Sequence, residues 1–117
     1  MAVEPIVVIH GGAGSKPLTR QRKQDITRSL SNILKECQVH LSKGAAAIEV
    51  VTRAAILLED DEYYNAGLGS KIQSDGHIRM SAAIMDGDSR RFGGCINVEG
   101  IKNPILLARG LLREKDR

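Results

Sequence analysis

The sequence predicts a small mixed α/β domain, on three observations. A β-branched run opens the chain, two long stretches with helical apolar spacing follow it, and the second half alternates glycine-bounded, strand-like runs before a final helix signal. The chain has 117 residues, a hydrophobic fraction of 42% and a net charge of +3. Tyr63, Tyr64 and Phe92 are its aromatic residues, so the core is predicted to be aliphatic.

Ile6-Val7-Val8-Ile9, between Pro5 and Gly11-Gly12, reads as a fully buried strand. His10-Gly11-Gly12-Ala13-Gly14 reads as a turn or open loop. From about Leu18 to Leu41, Ile26, Leu30, Ile33, Leu34, Cys37 and Leu41 fall at helical spacing. Gly44 breaks that helix. A second helix follows, with Ala47, Ile48, Val51, Ala55 and Leu58 on one face. Lys71–Gln73 and His77–Met85 look like strands joined at Ser74-Asp75-Gly76, a hairpin signal. Arg91–Val98 is a third strand, and Gly93-Gly94 inside it points to a bulge or a close backbone approach. Asn103-Pro104 starts a last helix, with Asn as N-cap and Ile105, Leu106, Leu111 and Leu112 as its apolar face. The strand count is low for the helices that need cover. The expectation is a single region, 1–117, forming part of a larger protein.

Several function classes find no support. The basic runs Arg20–Lys23 and Arg113–Arg117 read as a solvated helix face and a frayed end, with no nucleic-acid module around them. No apolar run approaches a membrane span, and Met1–Pro5 lacks the features of a signal peptide. Cys37 and Cys95 are widely spaced in apolar contexts, which predicts buried thiols and a cytoplasmic protein. His40 and His77 read as structural or exposed. His10 stands in a more site-like position, where a histidine bonded to backbone is expected ahead of a general base. The glycines after it suggest an anion-binding nest, but without the lysine of a P-loop.

The stretch from Leu58 to Gly87 is the most informative. Glu59-Asp60-Asp61-Glu62 follow the second helix, where the negative end of the dipole makes each exposed acid unfavourable by about 0.3–1 kcal/mol. Two readings fit: an ordinary charged turn, or a bound cation held by carbonyl oxygens of the last turn. Asn65-Ala66-Gly67-Leu68-Gly69 then predicts tightly bent backbone.

Four ordered blocks are similar to the plant-type asparaginase/isoaspartyl peptidase family of N-terminal nucleophile (Ntn) hydrolases: Ile9–Gly14, Asn65–Gly69, Met80 with Ala83–Gly87, and Lys102–Ile105. The chain departs at Met80-Ser81-Ala82-Ala83, where members commonly carry Met-Asp-Ala-Ser. The resemblance implies a four-layer αββα sandwich, of which this chain is an incomplete α subunit. It implies a precursor that cuts itself into α and β chains, and assembly as a dimer of αβ units. The nucleophile would be the β chain's N-terminal Thr, with its own α-amine as base; glycosylasparaginase and threonine aspartase share that chemistry. The implied substrates are L-asparagine and β-aspartyl dipeptides. Thr19, Thr27 and Thr52 lie outside the family's nucleophile context, so no catalytic residue is expected in this chain. Implied supporting residues are Asn65, Gly11 and Gly12. A structural sodium ion is implied at the main-chain carbonyls of Leu58, Glu59, Asp61, Tyr64, Ala66 and Leu68, with no organic cofactor. A non-catalytic remnant that retains only the α half is the alternative.

Overall fold

The computed structural model describes residues 3–14 and 17–114. Five elements organise it: helix α1 (Arg20–Ser42), helix α2 (Ala47–Glu59), strand β1 (Met80–Asp86), strand β2 (Arg91–Val98) and helix α3 (Pro104–Arg113). Thr19 caps α1, its Oγ1 accepting from Arg22 N at 3.1 Å. Gly44, at φ +81, turns the chain away from α1 toward α2 in a conformation that suits glycine.

Helix α2 lies between two apolar clusters. On one side Ile33 and Cys37 of α1 meet Val50, Ala54 and Tyr64, with Val7, Ile9, Ile26 and Leu30 around them. On the other, Ile48, Ala55 and Ile56 pack against Ile84, Ile105, Ala108 and Leu112. Each fully buried aliphatic side chain contributes about 1.5–3 kcal/mol. Using both sides makes the buried surface of α2 wider than the single predicted face: Val50 and Ala54 are buried, while Val51 is exposed.

The sheet has two antiparallel strands, with Ile84 opposite Gly93 and Met85 opposite Phe92. Its register shifts between Met80 and Ala82, opposite Asn97 at φ +53. One face carries Ile84 and Gly93 onto α3. Gly93 allows that closeness: a Cβ there would stand 2.6 Å from Leu112 N and closer still to Ala108 O. The predicted close approach at Gly93 is therefore real, and the irregularity lies elsewhere. The opposite face exposes Met85, Phe92 and Ile96.

Four expectations are corrected. Ile6–Ile9 is no strand: Val7 and Ile9 pack against the core while Ile6 and Val8 are exposed, and no described segment supplies a ladder. The turn at Ser74–Gly76 exists, closed by Gly76 N to Gln73 O at 3.0 Å and Gln73 N to His77 O at 2.8 Å. Yet Lys71–Gln73 is not a strand, and the hairpin is β1–β2. In α3, Leu106 and Leu111 are exposed, and Ala108 with Ile105 and Leu112 forms the buried face. Cys95 is only half-buried, its thiol donating to Pro104 O at 3.7 Å; Cys37 is buried, and both are free. The end of the basic tail, 115–117, lies outside the described residues. No helix among the described residues is long and apolar enough to cross a membrane.

Candidate functional site

The loop from Glu59 to Gly69 joins the end of α2 to a 3₁₀ turn at Gly67–Gly69. Its acids are not stranded on a hostile helix end. The Glu59 side chain is buried and its Oε1 accepts from Ile105 N at 3.0 Å. Ile105 is the second residue of α3, so Glu59 caps that helix from outside. An acid badly placed for the dipole of α2 is well placed for the dipole of α3. The predicted cap, Asn103, makes no side-chain cap bond; its Nδ2 donates to Asp60 Oδ1 at 3.0 Å. Lys102 pairs with the same carboxylate at 3.3 Å. Asp61 accepts from the Ser29 hydroxyl and from Tyr63 N, the latter at 2.9 Å. Three of the four acids thus have specific partners.

The electrostatic consequences differ in sign. Burial pushes the Glu59 carboxyl above the usual carboxylate range, partly offset by its bond from Ile105 N–H and by the nearby Asn103 amide. Its Oε2 is buried without a hydrogen-bond partner among the described residues. The Asn103 amide and Lys102 hold Asp60 below its ordinary value. Burial raises the Tyr64 phenol, and its bond to Ser29 works the other way.

The glycines of the turn let backbone carbonyls pack closely against it. Gly67 is at φ +50, and a Cβ on it would run into Glu59 O and stand 2.7 Å from Glu59 C. A Cβ on Gly69 would collide with Tyr64 O and stand 2.8 Å from Glu62 O. Oxygens of Glu59, Glu62 and Tyr64 therefore crowd a turn that only glycine fits. Such neutral oxygens suit a hard monovalent cation. Among the described residues no group of three or more His, Cys, Asp or Glu could hold a metal through side chains. Of the other expected carbonyls, Leu58 O accepts from Asp61 N at 3.4 Å and Ala66 O from Gly69 N at 3.1 Å. Leu68 is largely exposed.

Of the residues expected to play supporting parts, Gly11 and Asn65 lie at this loop. Gly11 packs beneath Tyr64: a Cβ there would lie 2.6 Å from Tyr64 Cε1. Gly12, at φ +103, donates its N–H to His10 Nδ1 at 3.0 Å, so His10 is bonded to backbone as expected, although exposed rather than in the core. Asn65 is exposed and its Oδ1 accepts from Lys71 N at 2.9 Å. All three threonines are committed locally: Thr19 to its cap, Thr27 to Lys23 O at 2.9 Å and Thr52 to Ile48 O at 2.7 Å. Sequence reasoning missed Ser29, whose partners are 32 and 35 residues away, and Arg109. Arg109 is buried, donating to Thr52 Oγ1 at 2.6 Å, to Ile48 O at 2.9 Å and to Glu49. Nothing local in either sequence context signals these bonds.

The described residues thus bring together a sheet backed by a helix and a glycine-bent loop against which main-chain oxygens pack. The model of the Asparaginase family matches residues 3–117. The chain belongs to that family, the plant-type asparaginases/isoaspartyl peptidases. It is 46% identical over 115 residues to an isoaspartyl peptidase/L-asparaginase of Nostoc sp., covering 98% of this chain and 36% of the relative. A protein of the same description from Synechocystis sp. is 42% identical over 113 residues, covering 97% and 34%. A plant-type L-asparaginase of Pyrobaculum calidifontis is 34% identical over 110 residues, covering 94% and 36%. The chain spans about a third of the length of these relatives.

Proposed function

We propose that this chain is the α part of a cytoplasmic hydrolase that cleaves the side-chain amide of L-asparagine and the isopeptide bond of β-aspartyl dipeptides. The nucleophile is the N-terminal Thr of a β chain, released by self-cleavage of a precursor, and the working form is a dimer of αβ units. The observation that carries the reading is the family match along residues 3–117 in a chain whose three threonines are all engaged in helix caps and helix back-bonds.

The chemistry needs little from this chain directly. An α-amine with pKa of roughly 7.7–8.0 can accept the threonine hydroxyl's proton near neutral pH. The freed oxygen attacks the substrate's side-chain carbonyl, the C–N bond breaks as ammonia or the dipeptide's amine leaves with the proton held by the α-ammonium, and water then hydrolyses the acyl-enzyme. The α part supplies shape. The exposed apolar face with Met85, Phe92 and Ile96 suits a second sheet packed on it, as a four-layer αββα sandwich requires. Asn65 and the Gly11-Gly12 loop would lie beside the nucleophile and help to hold it. A sodium ion would be held by main-chain oxygens of the Glu59–Gly69 loop, where Leu58, Glu59, Asp61, Tyr64, Ala66 and Leu68 are the proposed ligands. It would supply structural rigidity under the site.

Ammonia release from asparagine, and aspartate release from β-aspartyl dipeptides, test the proposal. The pure 117-residue chain is expected to be inactive, and co-expression with a β chain that begins with Thr is expected to give turnover. Clear turnover by the pure chain refutes the location of the nucleophile. No activity from a correctly assembled pair favours the non-catalytic alternative.

A further inference from the structure

Helix α1 reaches the Glu59–Gly69 loop through Arg22 and Ser29, seven residues apart and therefore on one helix face. The Arg22 guanidinium lies 4.3 Å from the centre of the Tyr63 ring. Ser29 does something more directional. Its Oγ accepts from the Tyr64 hydroxyl at 2.9 Å and donates its single proton to Asp61 Oδ2. The other oxygen of Asp61 accepts from Tyr63 N. One hydroxyl therefore ties both ends of the 61–64 segment to α1.

We propose that Ser29 is a positioning residue that holds this loop's carbonyls against the Gly67–Gly69 turn and so sets the loop's affinity for a monovalent cation. The inference rests on the cation reading above. Apolar contacts from Ile26 and Leu30 press on the same cluster but fix no direction. Tyr64 is 5% exposed and its ring packs over Gly11. With its hydroxyl anchored as well, the Tyr64 carbonyl stays aimed at the Gly69 turn. Without Ser29 the buried phenol and the Asp61 carboxylate lose their shared partner, and the segment between them is free to reorient.

The test is the melting midpoint of the assembled αβ protein, titrated with NaCl against choline chloride at constant ionic strength. It is paired with amide hydrogen exchange across residues 61–69. Ser29→Ala is expected to raise the half-saturating sodium concentration about tenfold, the low end for loss of an outer-shell partner. It is also expected to speed exchange at 61–69 in both salts. Ser29→Thr, which keeps a hydroxyl, restores the affinity. Arg53→Gln, which breaks the Glu36–Arg53 pair at 2.6 Å two turns further along the same face of α1, leaves it unchanged. Should Ser29→Ala fail to fold, Tyr64→Phe removes only the donated bond and is expected to weaken sodium several-fold. A wild-type sodium effect that survives intact in the Ser29 or Tyr64 variant overturns the inference alone, as does equal loss in Arg53→Gln. Absence of any sodium-specific effect in the wild type overturns the cation reading and this inference with it.

Discussion

Gly93 and Gly94 are adjacent in β2 and should respond to the same substitution with opposite signs. Gly93→Ala drives a methyl group into the backbone of α3, 2.6 Å from Leu112 N and closer to Ala108 O. Backbone atoms cannot swing aside as a side-chain tip can. The helix must retreat by about 1 Å to restore carbon–heteroatom separations of about 3.5 Å. A gap of that size forfeits a quarter to a half of the dispersion energy across it. The interface includes Ile84, Ile105, Ala108 and Leu112, all buried. Overpacking of a well-filled core costs about 1–3 kcal/mol, and a backbone clash belongs at the upper end. At about 4–8 °C per kcal/mol for a domain near this size, the melting midpoint should fall by roughly 10–20 °C. Gly94 faces the other way, and a Cβ there meets Ala82 O at 3.5 Å and the Ala83 Cβ at 3.6 Å, ordinary contacts. Because glycine in a strand interior costs about 0.5–1 kcal/mol relative to alanine, Gly94→Ala should be neutral to slightly stabilising. Urea unfolding of both variants beside the wild type decides it. Equal midpoints for Gly93→Ala and the wild type would refute the account of how α3 sits on the sheet.

Two further outcomes follow from the polar interior. Glu59 has a folded pKa raised above 4.5 by burial, so its ionised form penalises the fold fully above the raised value, and the penalty vanishes as pH falls toward 4.5. Glu59→Gln keeps an acceptor for Ile105 N–H, so its stability relative to wild type should be most favourable at pH 8 and least at pH 4.5; parallel urea midpoints at the two pH values would count against this. Arg109→Lys should cost about 2 kcal/mol, because one ammonium cannot span Thr52 Oγ1, Ile48 O and Glu49 as a guanidinium fork does, and a thermal midpoint within 2 °C of wild type, on the order of a few tenths of a kcal/mol, would show that the fork is dispensable.

The parts of the fold that local pattern governs were legible. Period-3.6 apolar spacing located α1 and α2, Asn103-Pro104 located the start of α3, and Arg91–Val98 located β2. The errors share one cause. Ile6–Ile9 has the β-branched composition of a buried strand, but a strand exists only where another chain segment completes its ladder. The apolar residues Leu106 and Leu111 share a composition with Leu112, and only the position of the sheet decides which of them is covered. At the candidate site, the glycines that bend the loop could be read from their spacing. Ser29 and Arg109 could not, because their bonds join residues 32 to 61 positions apart.

The four acids after α2 carried the argument for a cation when only their sequence was considered, and the structure moves that argument to different atoms. As a charge problem the segment is already largely solved. Glu59 serves the N-terminus of α3, Asp60 meets Asn103 and Lys102, and Asp61 meets Ser29 and Tyr63. No cation is needed to neutralise them. Satisfying those side chains is, however, what shapes the backbone. The bonds from Glu59 and Asp60 pin the start of the loop to α3. Asp61 and Tyr64, through Ser29, pin the next turn to α1. With both anchors in place, the carbonyls of Glu59, Glu62 and Tyr64 have little choice but to face Gly67 and Gly69. A small cation bound there would meet neutral main-chain oxygens and would need no carboxylate in its shell. The acids would then act on the ion at one remove: they build the walls, and neutral carbonyls do the binding. Removing a single acid should therefore weaken sodium by loosening an anchor, and its effect should track loop exchange rates rather than net charge.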